Sequence, residues 1–141
     1  SQVGPSFGNN FNNRSEEAMG SALDLWTAYR EGAFADSPRP WLGYVFLLED
    51  CAKARSPVSV QEPHFPVFAE FKDASYMKRY ELFCRKLVLE RHYEAAAFLT
   101  SPPVAGQAGE YVEPGADLSF RALAASLMGK MAAYVATRKQ L

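Results

Sequence analysis

Two groups of charged residues have the composition of a metal-dependent hydrolytic site. Glu49-Asp50 follows an apolar run, and Glu70-Phe71-Lys72 comes about twenty residues later. Enzymes that cut phosphodiesters hold a divalent cation with an Asp and a Glu and keep a Lys near the attacking water. On a strand, Glu70 and Lys72 would lie on the same side. An isolated Glu-x-Lys is not specific, however, and two prolines shortly before it disfavour a strand.

The opening stretch, residues 1–14, is a second candidate because it is rich in amides. It contains Gln2, Asn9, Asn10, Asn12, Asn13 and Arg14. Asn and Gln side chains pair with adenine in a major groove, and Arg pairs with guanine. The stretch lacks apolar periodicity, and Gly4-Pro5 and Gly8-Asn9 are turn signals. We therefore expect an exposed loop, serving either as a polar linker or as a contact surface.

A helix is predicted from about residue 15 to 31. Ser15 is suited to the N-cap, Glu16 and Glu17 fall in the first turn, and Gly32 ends the apolar period. The positive end of the helix dipole stabilises both carboxylates in the first turn, and this role alone is sufficient to explain them. Their alternative role is as ligands or acid–base groups beside a catalytic loop.

The remaining pattern predicts an α/β fold. Apolar runs at 41–48 and 95–100 have the length of buried strands, and a helix with one apolar stripe is predicted between them over 76–93. Asp117 is expected to cap a last helix whose apolar face, including Met128 and Met131, enters the core. Strand, helix and strand favour a right-handed βαβ unit. Two strands make a small sheet, so we expect a partial sheet flanked by helices.

Length and composition indicate one soluble domain over residues 1–141. Apolar residues make up 48%, charged residues 22%, and the net charge is −1. This composition excludes a membrane span and a global basic field. Cys51 and Cys84 have no metal-binding spacing and are predicted to be reduced thiols in the cytoplasm. His64 and His92 likewise lack metal-ligand spacing.

Several segments closely resemble the Xho-type family of type II restriction endonucleases. They are residues 1–14, Glu16-Glu17-Ala18, residues 24–32, residues 62–68 and residues 80–91. The resemblance implies a Mg²⁺-dependent nuclease of the PD-(D/E)xK fold. Such an enzyme cuts double-stranded DNA at the palindrome CTCGAG, as a homodimer in the bacterial cytoplasm.

The resemblance also changes the interpretation of the candidate residues. In the family, the catalytic Glu-x-Lys stands immediately before the residues that match Ser1-Gln2-Val3-Gly4, and the metal-binding Asp lies earlier. The chain, which has no initiator Met, is therefore expected to be the C-terminal portion of such an enzyme, lacking the catalytic strands and inactive alone. The amides and Arg14 are expected to contact DNA, with Glu16 or Glu17 in a supporting role near the metal.

Two alternatives stay open. In the first, Glu49 or Asp50 acts with Glu70 and Lys72 as a self-contained nuclease. In the second, the chain is a non-catalytic DNA-binding or interaction module whose basic helix face meets phosphates. That face contains Lys78, Arg79, Arg85 and Lys86.

Overall fold

The computed structural model describes residues 1, 4 and 6–138. Within these residues, four helices and two strands follow one another in the order α1 (Phe7–Arg30), β1 (Gly43–Glu49), α2 (Ala52–Arg55), α3 (Tyr76–Leu89), β2 (Ala95–Ser101) and α4 (Phe120–Arg138). Short 3-10 turns occupy Ala69–Phe71, Ala105–Ala108 and Ala116–Leu118. In the described part of the chain, no helix is both long and apolar enough to cross a membrane.

The two strands form a parallel sheet, as predicted. Gly43 lies opposite Ala95, and Glu49 lies opposite Ser101. The crossover between the strands contains α3, which packs against β2. The carboxyl ends of both strands therefore lie at one edge of the sheet. This mixed α/β architecture with a small sheet agrees with a partial nuclease-like fold.

The core lies between α3, α1 and the sheet. Tyr80 of α3 stacks on Phe46 of β1 with 4.1 Å between ring centroids. A second cluster, where α1 crosses α3, contains Ala18, Ala22, Phe83, Leu87 and Tyr93. Tyr93 donates its hydroxyl to the Ala18 carbonyl at 2.7 Å, which fixes α1 to the start of β2.

The start of α1 corrects the prediction of an exposed loop over residues 1–14. The helix begins at Phe7, and Ser15 lies inside it, donating its hydroxyl to the Phe11 carbonyl at 2.7 Å. Phe7 is 1% exposed, and the Phe11 ring meets the edge of Tyr80 at 4.9 Å. Gly and Asn are poor helix formers, so burial of these two rings overrides local propensity. The predicted Ser15 cap is therefore wrong.

The last helix also differs from its prediction. It begins at Phe120 after Ser119, whose hydroxyl accepts from the Ala122 N–H at 3.1 Å. Asp117 lies in the preceding 3-10 turn and does not cap the helix. Only Leu123 of the helix is buried. The apolar face that was predicted to enter the core is mostly exposed, because the sheet and the 3-10 turn at Ala116–Leu118 contact one narrow side of the helix.

Candidate nucleic-acid interface

The amide side chains of α1 form a row on its outer face. Asn9, Asn12 and Asn13 are exposed and follow the i, i+3, i+4 spacing that places residues side by side on a helix. Phe7 and Phe11 occupy the opposite face and pack into the core. The three amides consequently point away from the protein, on a helix rather than on a loop.

Arg14 and Asn10 lie between this row and the buried face of α1, as helical spacing places them. Both are partly buried. The Arg14 guanidinium lies 2.9 Å from the Glu17 carboxylate. Arg14 also lines a cleft of about 230 Å³ together with Ser1 and Tyr44. Burial raises the pKa of the Tyr44 hydroxyl, while the nearby Arg14 charge acts in the opposite direction. Through this ion pair, the Glu17 carboxylate orients the Arg14 guanidinium.

The opening segment is tied to the carboxyl end of β1. The Gly4 N–H donates to the Glu49 carboxylate at 2.9 Å. The neighbouring Asp50 accepts two hydrogen bonds from Arg55, at 2.6 Å from Nε and 2.5 Å from Nη2. This edge is where open α/β sheets keep their sites. Both carboxylates, however, are bonded to groups of the chain itself.

The Glu70-x-Lys72 pattern does not form the strand geometry that a nuclease site requires. Glu70 lies in a 3-10 turn, and its carboxylate is 3.6 Å from the Lys86 ammonium. Lys72 follows the turn and is 3.8 Å from the Glu62 carboxylate. The two side chains therefore belong to separate surface ion pairs.

The carboxylates described above do not fit a Mg²⁺ site. Magnesium requires oxygen ligands that converge in octahedral geometry. Glu49, Asp50 and Glu70 each face a different partner, and Glu17 faces Arg14. Across the described ranges, no three His, Cys, Asp or Glu side chains come together as a group that could hold a metal ion. These carboxylates therefore do not form a metal centre.

The basic face of α3 is largely neutralised. Lys78 and Arg85 both pair with Glu81, at 3.2 and 2.6 Å. Arg85 also forms a bidentate pair with Asp117, which raises the pKa of the guanidinium and lowers that of the carboxyl group. Arg79 donates to the carbonyls of Ala74 and Val58, and Lys86 lies over the Phe68 ring. These partners leave little positive charge for phosphates.

The structure thus arranges the sequence candidates in three places. Asn9, Asn12, Asn13 and Glu16 share the outer side of α1, Arg14 and Glu17 form a pair beside it, and Glu70 and Lys72 lie elsewhere on the surface. Gln2 lies outside the described residues. Sequence reasoning missed the helical row itself. The spacing of Phe7 and Phe11, four residues apart and interleaved with the amides, was the available signal.

Comparison with known proteins agrees with the sequence resemblance. The family model for restriction endonuclease XhoI matches residues 1–113. The type II restriction enzyme BstVI from Geobacillus stearothermophilus is 58% identical over 132 residues, covering 94% of this chain and 59% of that enzyme. The type II restriction enzyme XhoI from Xanthomonas vasicola is 59% identical over 90 residues, covering 64% of this chain and 36% of that enzyme.

A further type II restriction enzyme is also similar to part of this chain. The type II restriction enzyme AbrI from Azospirillum brasilense is 63% identical over 65 residues, covering 46% of this chain and 29% of that enzyme. No solved structure matches. The chain spans less than two thirds of the length of these relatives. The extent of the family match and the level of identity show that the chain belongs to the XhoI restriction endonuclease family.

Proposed function

We propose that this chain is the DNA-contacting part of a type II restriction endonuclease, and that the outer face of α1 lies against double-stranded DNA. The observation that carries the proposal is the exposed row of Asn9, Asn12 and Asn13 on one face of a helix whose other face is buried. Nothing in packing accounts for three outward amides on a helix, since Asn lowers helix propensity. A recognition surface accounts for them directly.

The dimensions of α1 suit the major groove of B-DNA. That groove is about 12 Å wide and admits an α-helix. Asn forms a bidentate pair with adenine, and a glutamate accepts a hydrogen bond from the amino group of cytosine. The palindrome CTCGAG contains both bases. Glu16, on the same side of α1 as the amides, thereby has a role in base recognition as an alternative to a supporting role near the metal.

The chemistry proposed for the complete enzyme is Mg²⁺-dependent hydrolysis of the DNA backbone at a CTCGAG-like palindrome. When bound, the metal would supply activation of the attacking water and neutralisation of phosphate charge. We place its ligands and the catalytic Glu-x-Lys in the part of the enzyme that this chain does not span. The described residues hold and orient the DNA. A palindromic site matches a two-fold symmetric homodimer, and the bacterial cytoplasm is the proposed compartment.

The test is DNA binding by the chain with Asn12→Ala and Asn13→Ala combined. Because each bidentate pair with a base contributes about 1–3 kcal/mol, we expect affinity for a CTCGAG duplex to fall by about tenfold or more. Fluorescence anisotropy against a scrambled duplex separates base recognition from phosphate binding. Gln61→Ala, at an exposed amide in the segment that precedes α3, is the matched control and should leave affinity unchanged. Equal affinity for both duplexes, unaltered by the Asn substitutions, would remove α1 from the interface.

The alternatives predict different outcomes in a cleavage assay of the chain with Mg²⁺. A self-contained nuclease would cut DNA and lose activity in Glu70→Ala. A non-catalytic module that binds through basic groups would bind any duplex, with affinity falling steeply as salt rises. The proposed function predicts no cleavage by this chain alone and sequence-selective binding through α1.

A further inference from the structure

Helix α4 is apolar around most of its circumference yet is covered on only one side. Its only charged residues are Arg121, Lys130 and Arg138. A helix that is hydrophobic all round is normally buried. In α4 only Leu123 is buried, whereas Met128 is 69% exposed and Met131 is 59% exposed. The helix therefore presents a large apolar surface that the other residues described by the structure leave uncovered.

Large exposed side chains along one face of α4, together with the partly buried Ala124, form a stripe that we call the α4 stripe. Its members recur at helical spacing over about four turns and are Phe120, Ala124, Leu127, Met128, Met131 and Val135. A large side chain presents about 150–250 Å² when it is fully exposed. With their observed exposed fractions, the large members of the stripe together expose on the order of 500 Å² of mainly apolar surface. This is more than half of the roughly 800 Å² that each partner buries in a standard interface.

We propose that the α4 stripe is the surface through which two copies of this chain pair, with their α4 helices antiparallel. The large members of the stripe alone supply more than half of the area that one partner buries in a standard interface. This inference rests on the proposed homodimer and names the surface through which the two copies would contact each other. The test uses no DNA, so its failure is distinct from a failure of the α1 proposal.

When two copies of the stripe run antiparallel, the residues that face each other are complementary in size. An antiparallel pair centred between Leu127 and Met128 brings Ala124 of one copy opposite Met131 of the other, so a small residue receives a large one. Phe120 of one copy lies near Val135 of the other. Met128 lies beside the Met128 of the other copy, at the two-fold axis. The stripe itself contains no charged residue, so no like charges oppose one another at its centre.

The first experiment measures the mass of the chain in solution by sedimentation equilibrium. We expect a dimer for the unmodified chain and a monomer for the double variant Met128→Glu and Met131→Glu, because two carboxylates per copy would be buried without partners. The matched control is Val104→Glu, at an apolar residue that is 83% exposed outside α4, and should remain dimeric. A monomeric unmodified chain would overturn the proposal and indicate that another part of the enzyme covers the stripe.

A cross-linking experiment tests the antiparallel arrangement without disrupting the fold. Cys51 is replaced by Ser, and the fully buried Cys84 is retained. Under mild oxidation, Met128→Cys should form a disulfide between copies. Phe120→Cys alone should not, because its counterpart lies about 22 Å away along the helix, beyond disulfide reach. A mixture of Phe120→Cys and Val135→Cys chains should cross-link. Cross-linking of Phe120→Cys with itself, or none at Met128→Cys, would contradict the arrangement.

Discussion

The Gly4 N–H donates a hydrogen bond to the Glu49 carboxylate over 2.9 Å, joining the start of the described chain to the end of strand β1. The two residues lie forty-five positions apart in sequence. Their contact places the first turn of α1 next to the carboxyl edge of the parallel sheet. The start of α1, where the amide row begins, therefore lies near the edge where α/β folds bind their ligands.

Removing the Glu49 carboxylate should loosen this connection. Glu49→Gln retains an acceptor but loses the charge, and we expect a loss of about 1 kcal/mol in the free energy of unfolding, since hydrogen bonds to charged groups contribute about 1.5–3 kcal/mol and this one is partly exposed. Urea denaturation measures the loss, and amide hydrogen exchange should show faster exchange at Gly4. Asp50→Asn, next along the chain, is the control and should leave Gly4 exchange unchanged. Unaltered exchange in Glu49→Gln would contradict the assigned contact.

The aromatic anchors of α1 should determine its stability. Phe7→Ala removes a ring that is 1% exposed and stacks on Tyr76 at 5.6 Å. Truncation of a buried Phe costs about 3–5 kcal/mol, and the loss should appear in thermal or urea unfolding. Phe65→Ala, at a ring that is 84% exposed, should change stability by about 0.5 kcal/mol or less. A similar small effect in Phe7→Ala would mean that α1 starts later than Phe7.

These anchors explain which part of the fold could be read from the sequence. The strands and α3 were predictable because their apolar residues form runs or a single stripe, and the parallel pairing followed from the strand–helix–strand order. The start of α1 was not predictable from local signals. Gly8 and the asparagines disfavour a helix, and the packing of Phe7 and Phe11 against α3 and the sheet stabilises one.

The exposed face of α4 illustrates a second limit, because a helical apolar pattern does not specify what covers it.

The candidate site also has a part that the sequence predicts and a part that it does not. The amides were identified by residue type, since Asn carries a donor and an acceptor together. Their alignment on one helix face required the tertiary structure, as did the neutralisation of the α3 cations by Glu81, Glu70 and Asp117.

Cys84 should make stability depend on pH in the alkaline range. Burial raises the pKa of this thiol from 9.0 to about 12 in the folded protein. Because the folded pKa exceeds the unfolded one, the stabilising contribution is complete below pH 9 and is lost as the pH rises from 9 towards 12. Urea unfolding across this range should show a smaller decline in Cys84→Ala than in the unmodified chain. Burial also raises the pKa of Tyr44 and Tyr80, so a residual decline should remain. Identical declines in the two proteins would place Cys84 in contact with water.

The bidentate pair between Arg85 and Asp117 should couple α3 to the turn that precedes α4. Arg85 Nε and Nη2 lie 2.7 and 3.1 Å from the two Asp117 oxygens, and Leu118, the next residue, is buried in the core. A double-mutant cycle with Arg85→Ala and Asp117→Asn should give a coupling of about 0.5–1 kcal/mol, because the pair is well oriented but Asp117 is exposed. The guanidinium lowers the pKa of Asp117. The coupling should thus be present above the ordinary carboxyl pKa of 3.8 and be lost as the pH falls through the lowered value.

The control cycle uses Glu62 and Lys72, whose groups are 3.8 Å apart and should show almost no coupling. Equal coupling in both cycles would mean that Arg85 and Asp117 do not position α4.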